Sequence, residues 1–376
     1  MERTLEGTPA QDGFRMPAEF EPHAGCWMAW PERPDNWREA AAPAQAAFAA
    51  IAEAIAVSEP VTMAVSDASY EHCRAALSPA VRVLEISTDD AWMRDIGPSF
   101  LTDGAGELRG VDWVFNAWGG AEGGLYASWE RDDRAARKIL EVEGAARYRA
   151  PLVLEGGSIH VDGQGTVLTT EECLLNPNRN PGLSREQIEG ALRSYLGVEK
   201  VLWIDRGLSG DETDGHIDNI ACFARPGVIL LSWPADAGDP SRAAAEDAER
   251  RLTGAVDARG RSLEVIRIPA PGTLTISAQE AAGVERRQGT IPRIAGERMA
   301  GSYVNFFIAS SRVVFPLLDE RTDGLAEEAL AACFPGRELV GIGAREILLG
   351  GGNIHCITQQ VPLSGPAQPK NSAAVS

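Results

Sequence analysis

Apolar residues along this chain fall into short, dense runs separated by longer amphipathic stretches. The runs at 61–65, 81–86, 166–168, 201–205, 227–231, 263–268, 312–315 and 338–342 are rich in Val, Ile and Leu, the composition of strands with one or both faces buried. Segments with charged and alanine-rich faces lie between them and predict helices over 69–77, 184–196, 241–252 and 325–333. The alanine-rich stretch 40–57 is interrupted by Pro43, Gln45 and Glu53, so it reads as a surface helix and not as a membrane span.

The order of these elements repeats. One stretch opens at Gly156 with Gly-Ser-Ile-His-Val-Asp and passes through the run 166–168 and the helix 184–196 to the strand 201–205. A second opens at Gly215 with Gly-His-Ile-Asp-Asn-Ile and continues as strand 227–231, helix 241–252 and strand 263–268. A third runs from Gly301 through 312–315 and 325–333 to 338–342, and the stretch 61–86 fits more loosely. Each unit is strand, strand, helix, strand. Such a unit cannot bury its own faces, so several would stack around a common centre, with a site formed by strand ends and loops. The expectation is one α/β domain over 1–376, with 1–13 and 362–376 as mobile ends; the alternative is a two-domain α/β protein.

Composition narrows the partners. The 376 residues hold 35 Lys+Arg against 54 Asp+Glu, a net charge of -19, which opposes binding to nucleic acid or an anionic membrane and favours a cationic small molecule. Six cysteines are scattered without a CxxC pair, so neither a disulfide framework nor a cysteine zinc site is expected, and a reducing cytoplasm fits best.

The candidate chemistry lies at element boundaries. Cys356 follows the glycines at 350, 351 and 352, where the backbone can turn sharply and leave room for a substrate beside the thiol. Asp95 sits in Asp89-Asp90-Ala91-Trp92-Met93-Arg94-Asp95, Glu155 in Leu154-Glu155-Gly156-Gly157-Ser158, and His216 and Asp218 in Asp214-Gly215-His216-Ile217-Asp218-Asn219. On a strand, His216 and Asp218 would share a face. A nucleophile, a proton-moving imidazole and several carboxylates suit thiol chemistry on a cation, and a guanidinium pairs bidentately with carboxylates. Trp92 and Trp113 could line the approach and stack on a planar cation. A metal hydrolase is the rival: His160 and Asp162, and His216 and Asp218, are both H-x-D pairs. A non-enzymatic polyamine-binding module would use the acidic residues and tryptophans without needing Cys356.

The runs Asp90-Ala91-Trp92-Met93-Arg94-Asp95-Ile96-Gly97-Pro98, Leu154-Glu155-Gly156-Gly157-Ser158, Glu212-Thr213-Asp214-Gly215-His216-Ile217-Asp218-Asn219 and Gly351-Gly352-Asn353-Ile354-His355-Cys356-Ile357-Thr358-Gln359-Gln360 resemble those of the agmatine deiminases. Met16-Pro17-Ala18-Glu19, Trp30-Pro31-Glu32 and the stretch from Gly296 to Asn305 extend the resemblance over residues 14 to 361. It implies the pentein α/β-propeller, five pseudo-symmetric ββαβ modules around a central active site, and hydrolysis of agmatine to N-carbamoylputrescine and ammonia without cofactor or metal. By the same resemblance Cys356 is the nucleophile, His216 the general acid/base, Asp95 and Asp218 the carboxylates gripping the guanidinium, and Glu155 the carboxylate orienting the histidine. Glu212 lies near the substrate's distal amine, with Asp211 and Asp214 beside it. Family members commonly form dimers or larger assemblies, so a homo-oligomer is implied. Deimination of arginine or another guanidine, or amidine transfer, are the neighbouring reactions.

Overall fold

Val228–Trp233 is buried along nearly its whole length. It pairs antiparallel with Ala221–Arg225 on one side and parallel with Glu264–Pro269 on the other. The helix Arg242–Thr253 makes the crossover between the parallel strands, burying Ala245, Ala248 and Leu252. A parallel crossover of this kind leaves the middle strand covered, which is why its sequence reads as a continuous apolar run.

The same unit recurs through the computed structural model, which describes residues 4–364. Ser99–Thr102, Leu108–Val114 and Ala146–Val153 form one sheet; His160–Val161, Thr166–Thr170 and Lys200–Ile204 another; Phe307–Ile308, Arg312–Leu317 and Glu338–Gly343 a third. Each has an antiparallel first pair and a parallel second pair. In a fifth sheet Gln359–Pro362 pairs antiparallel with His23–Ala29, which continues in parallel to Val61–Val65 and Val81–Glu85. The end of the chain is thereby stitched to its beginning, and the fold is mixed α/β. A separate two-stranded piece joins Leu274–Thr275 to Arg298–Met299.

Helix boundaries follow local chemistry. Ser184 caps Arg185–Leu196 in a capping box with Gln187, Gly197 closes it with φ 65°, and Ile188, Leu192 and Leu196 form one buried stripe. Helices occur at Ala42–Ala56, Tyr70–Ala76 and Asp323–Cys333, within two residues of the expected limits. The unit spanning residues 99–153 was not picked out among the repeats read from sequence. Of the two ends expected to be mobile, residues 1–3 and 365–376 lie outside the described residues; Pro9–Asp12 forms a 3-10 turn and Pro362 belongs to the last strand. Among the described residues no helix is long and apolar enough to cross a membrane.

One expectation needs correction. His216 and Asp218 do not lie on a strand: Ile217–Ile220 is a single helical turn with His216 at its N-cap, and the strand starts at Ala221. Asp211 forces this turn, its Oδ2 accepting from the His216 N–H and the Asn219 amide at 3.0 Å each, while Gly215 turns the chain with φ 80°. The 3-10 turn Gly156–Ser158 likewise delays the strand His160–Val161, and Phe307–Ile308 starts after Asn305.

Candidate active site

These delayed strand starts bring the candidate residues together. Asp95 lies in the helical turn Met93–Ile96 before Ser99–Thr102, Glu155 before His160–Val161, His216 and Asp218 before Ala221–Arg225, Asn305 before Phe307–Ile308, and Cys356 before Gln359–Pro362. Every one of the five sheets thus delivers polar side chains at the entry to its first strand.

Gly157 marks where they converge. A Cβ there would lie 2.5 Å from His216 Nδ1, 3.0 Å from Asp218 Oδ2 and 3.0 Å from Asp95 Oδ1, so only glycine leaves the three groups in place. Its N–H also donates to Asp95 Oδ1 at 2.8 Å, and Trp118 Nε1 donates to Asp95 Oδ2 at 2.9 Å. Cys356 Sγ lies 3.7 Å from Asp218 Oδ2 and accepts from Asn305 Nδ2 at 3.2 Å. His216 presents Nδ1 to Asp95 Oδ2 at 4.0 Å and Nε2 to Glu155 Oε2 at 3.6 Å. Glu155 is held in turn by Arg179, Nε to Oε1 at 2.7 Å.

Burial and charge set the protonation states. Burial pushes the Cys356 thiol well up, and the negative charges of Asp218 and Asp95 add to it, so the resting residue is a thiol. Burial would lower His216, yet Asp95, Cys173 and Glu155 outweigh it and raise the imidazole well above its ordinary range. Burial raises Asp95 to about 6 against the pull of His216. Burial opposes ionisation of Glu155 as well, but Arg179 and His216 hold its carboxyl down at about 2. A thiol, a charged imidazole and two facing carboxylates can bind a planar cation, attack its carbon and supply a proton to a leaving nitrogen.

The glycine turn carrying Cys356 is wedged against three side chains. A Cβ at Gly350 would meet Trp37 Cζ3 at 2.3 Å, one at Gly351 Glu212 Oε2 at 2.7 Å, and one at Gly352 Trp92 Cζ3 at 2.4 Å. Trp92 and Glu212 therefore stand beside the Cys356 loop, and a narrow pocket bounded by Asp90, Trp92, Trp118, Glu212, Arg293 and Gly350 opens next to it. Glu212 pairs with Arg293 through Oε1. Its acidic neighbours have other partners: Asp211 braces the His216 turn, and Asp214 pairs with Arg179 at 2.7 Å.

Trp113 is not in this group. It packs edge-on against Tyr195 and donates to Ser99 Oγ at 2.9 Å, within the core around Leu101 and Val111. Trp118, absent from the sequence reading, makes the contact to Asp95. Nor do the two H-x-D pairs form one ligand set. Asp162 Oδ1 accepts the N–H groups of Gln164 and Thr166 at 2.8 Å each, bracing a hairpin, and burial pushes His160 down to about 4. The described residues that bring three donor atoms within 4.8 Å of one another are Glu19, His160 and His355, and Glu155, Cys173 and His216; neither set contains Asp162 or Asp218.

Asn305, His355, Glu19 and Arg179 also belong to the site's framework and were not singled out from sequence. Asn305, His355 and Glu19 lay inside quoted motifs, but their partners are remote: Glu19 meets His355, 336 positions away. Arg179 carried no motif at all.

Residues 15–362 match the Porphyromonas-type peptidyl-arginine deiminase family. The chain is 58% identical over 361 residues to an agmatine deiminase of Stutzerimonas stutzeri strain A1501, covering 96% of this chain and 98% of that one. It is 57% identical over 357 residues to an agmatine deiminase of Pseudomonas aeruginosa strain LESB58, covering 94% and 97%. A solved structure of the agmatine deiminase of Enterococcus faecalis catalysing its reaction superposes with a TM-score of 0.94 at 48% identity, covering 96% of this chain and 100% of that one.

Proposed function

The chain belongs to the Porphyromonas-type peptidyl-arginine deiminase family, alongside the agmatine deiminases it matches over 96% of its length, and on that premise we propose that it hydrolyses agmatine to N-carbamoylputrescine and ammonia through Cys356. The observation that carries the mechanism is the convergence on Gly157 of His216, Asp218 and Asp95, with Cys356 Sγ 3.7 Å from Asp218.

The guanidinium sits between Asp95 and Asp218, whose carboxylates fix its plane. Its charge offsets the field that keeps Cys356 protonated, so the thiol loses its proton to solvent and the thiolate forms as the cation binds. Sγ attacks the guanidinium carbon; the C–S bond forms as a C=N electron pair moves to nitrogen. The His216 imidazolium protonates the departing nitrogen, ammonia leaves, and an amidino-thioether remains on Cys356. His216, now neutral and oriented by Glu155, takes a proton from water that attacks the same carbon, and the C–S bond breaks to release the ureido product and the thiol. Glu212 receives the distal ammonium, and Trp92 lines the approach. Trp113 serves the core instead.

Five sheets, each offering polar residues at the same point of its topology, support an arrangement as five modules of a propeller around this centre. The substrate belongs to the amine pathway from arginine toward putrescine, and six free buried thiols suit a cytoplasmic location.

Ammonia release from agmatine and from arginine, for wild type and Cys356→Ala, with and without EDTA, tests this reading. Agmatine turnover that survives chelation and disappears in the variant is expected. Loss on chelation alone would favour the metal hydrolase, and turnover of arginine in preference to agmatine would reassign the substrate.

A further inference from the structure

His355 adjoins the nucleophile in sequence, but both ring nitrogens face buried carboxylates: Nδ1 lies 2.8 Å from Asp218 Oδ2 and Nε2 2.8 Å from Glu19 Oε2. Only the imidazolium carries two N–H donors. A neutral ring would turn a lone pair toward an anion in a site whose side chains are almost wholly excluded from water. The other charged or titratable groups around it are Arg94, 3.8 Å from Glu19, and His160, stacked on His355 with centroids 6.0 Å apart. Glu19 is itself fixed, Oε1 accepting the Ile308 N–H at 2.7 Å. Cys356 lies beyond Asp218, and past it Asp95 and His216.

We propose that His355 is a permanently charged positioning residue, which keeps Asp218 ionised and fixes its Oδ2 while Glu19 supplies the countercharge. The proposal rests on the reading of Asp218 as a guanidinium-binding carboxylate. Asp218 Oδ1 has no hydrogen-bond partner among the described residues, so it is the oxygen left to meet the substrate. The protonation states agree with this geometry. Burial would raise Asp218, but its hydrogen bond to His355 and the charge of that ring bring it below its ordinary value, while burial raises nearby Asp95 to about 6. Without His355, Asp218 would become a second buried carboxylate facing Asp95, and two such groups resist ionising together.

The test is the pH dependence of kcat/KM for agmatine in wild type and His355→Asn, since asparagine keeps a donor toward Asp218 but no charge. The free-enzyme acid limb of wild type falls with a slope of one as Asp95 protonates. In His355→Asn the limb moves to higher pH by about one unit or more, roughly tenfold in rate at a fixed pH on the limb, and its slope approaches two. Calorimetric binding of agmatine to Cys356→Ser, alone and combined with His355→Asn, shows the same displacement without turnover. A loss equal at every pH, an unmoved limb, or a variant lacking a cooperative melting transition would each overturn the proposal, the last by making His355 a requirement of the fold. A wild-type protein inert toward agmatine would instead remove the reading of the reaction on which it rests.

Discussion

Arg179 and Glu155 form an ion pair in which neither side chain is exposed, and the pair leaves Glu155 Oε2 3.6 Å from His216 Nε2. Breaking such a pair leaves an uncompensated charge away from water. Arg179→Gln should therefore lose about 3–5 kcal/mol of unfolding free energy, measured by urea denaturation. The pair also predicts acid sensitivity. Glu155 has a folded value near 2 against an ordinary 4.5, so its stabilisation is complete above about 4.5 and fades as pH falls toward 2. Glu155→Gln should flatten that part of the stability curve.

Asp95 makes the opposite statement about activity. Its carboxyl is raised to about 6, so in the role proposed for it, gripping the guanidinium, it is an anion in the free enzyme only above that pH. The wild-type profile of kcat/KM should fall below pH about 6, and Asp95→Asn should be slow at every pH with that limb removed. A wild-type limb centred near pH 4 would contradict the assignment.

The turn beneath Cys356 predicts a steric effect. In Gly352→Ala the new Cβ meets the Trp92 ring at 2.4 Å and the Cys356 Cβ at 3.1 Å, so either the ring or the turn that carries Cys356 must move. A misplacement of about 1 Å costs about 100-fold, and kcat should fall by that much. Gly343→Ala, where a Cβ meets nothing within 4 Å, should be close to wild type in the same assay.

Much of this was legible in the sequence, for identifiable reasons. The apolar runs and the Ser184 and Gly197 caps are local signals, and the strands and helices they predict lie within a few residues of place. The error at His216 and Asp218 came from reading period two through a segment where Asp211 and Gly215 turn the chain into one helical turn. Glu155, His216, Asp95, Asp218 and Cys356 could be nominated because catalytic residue types cluster beside glycines. Arg179, Glu19 and Trp118 could not, because their roles exist only through contacts that folding makes, to Glu155 24 positions away, to His355 336 positions away and to Asp95 23 positions away. Trp92 and Trp113 look alike in sequence; the packing separates them, setting one against the Cys356 turn and the other in the core with Tyr195.

Glu212 reaches the pocket with Oε1 on Arg293 and Oε2 toward Gly351. As receptor for a distal ammonium it should matter only to substrates that have one. Glu212→Gln should raise KM for agmatine about tenfold and change kcat/KM for butylguanidine little, steady-state kinetics on both being the check.

The central claim is that Cys356 Sγ bonds to the guanidinium carbon. Rapid acid quenching of wild type during agmatine turnover, followed by peptide mass spectrometry, examines this most directly. The peptide containing Cys356 should carry the mass of agmatine less ammonia. Turnover of agmatine with that peptide unmodified throughout, or with the label on another of the six cysteines, would contradict the account.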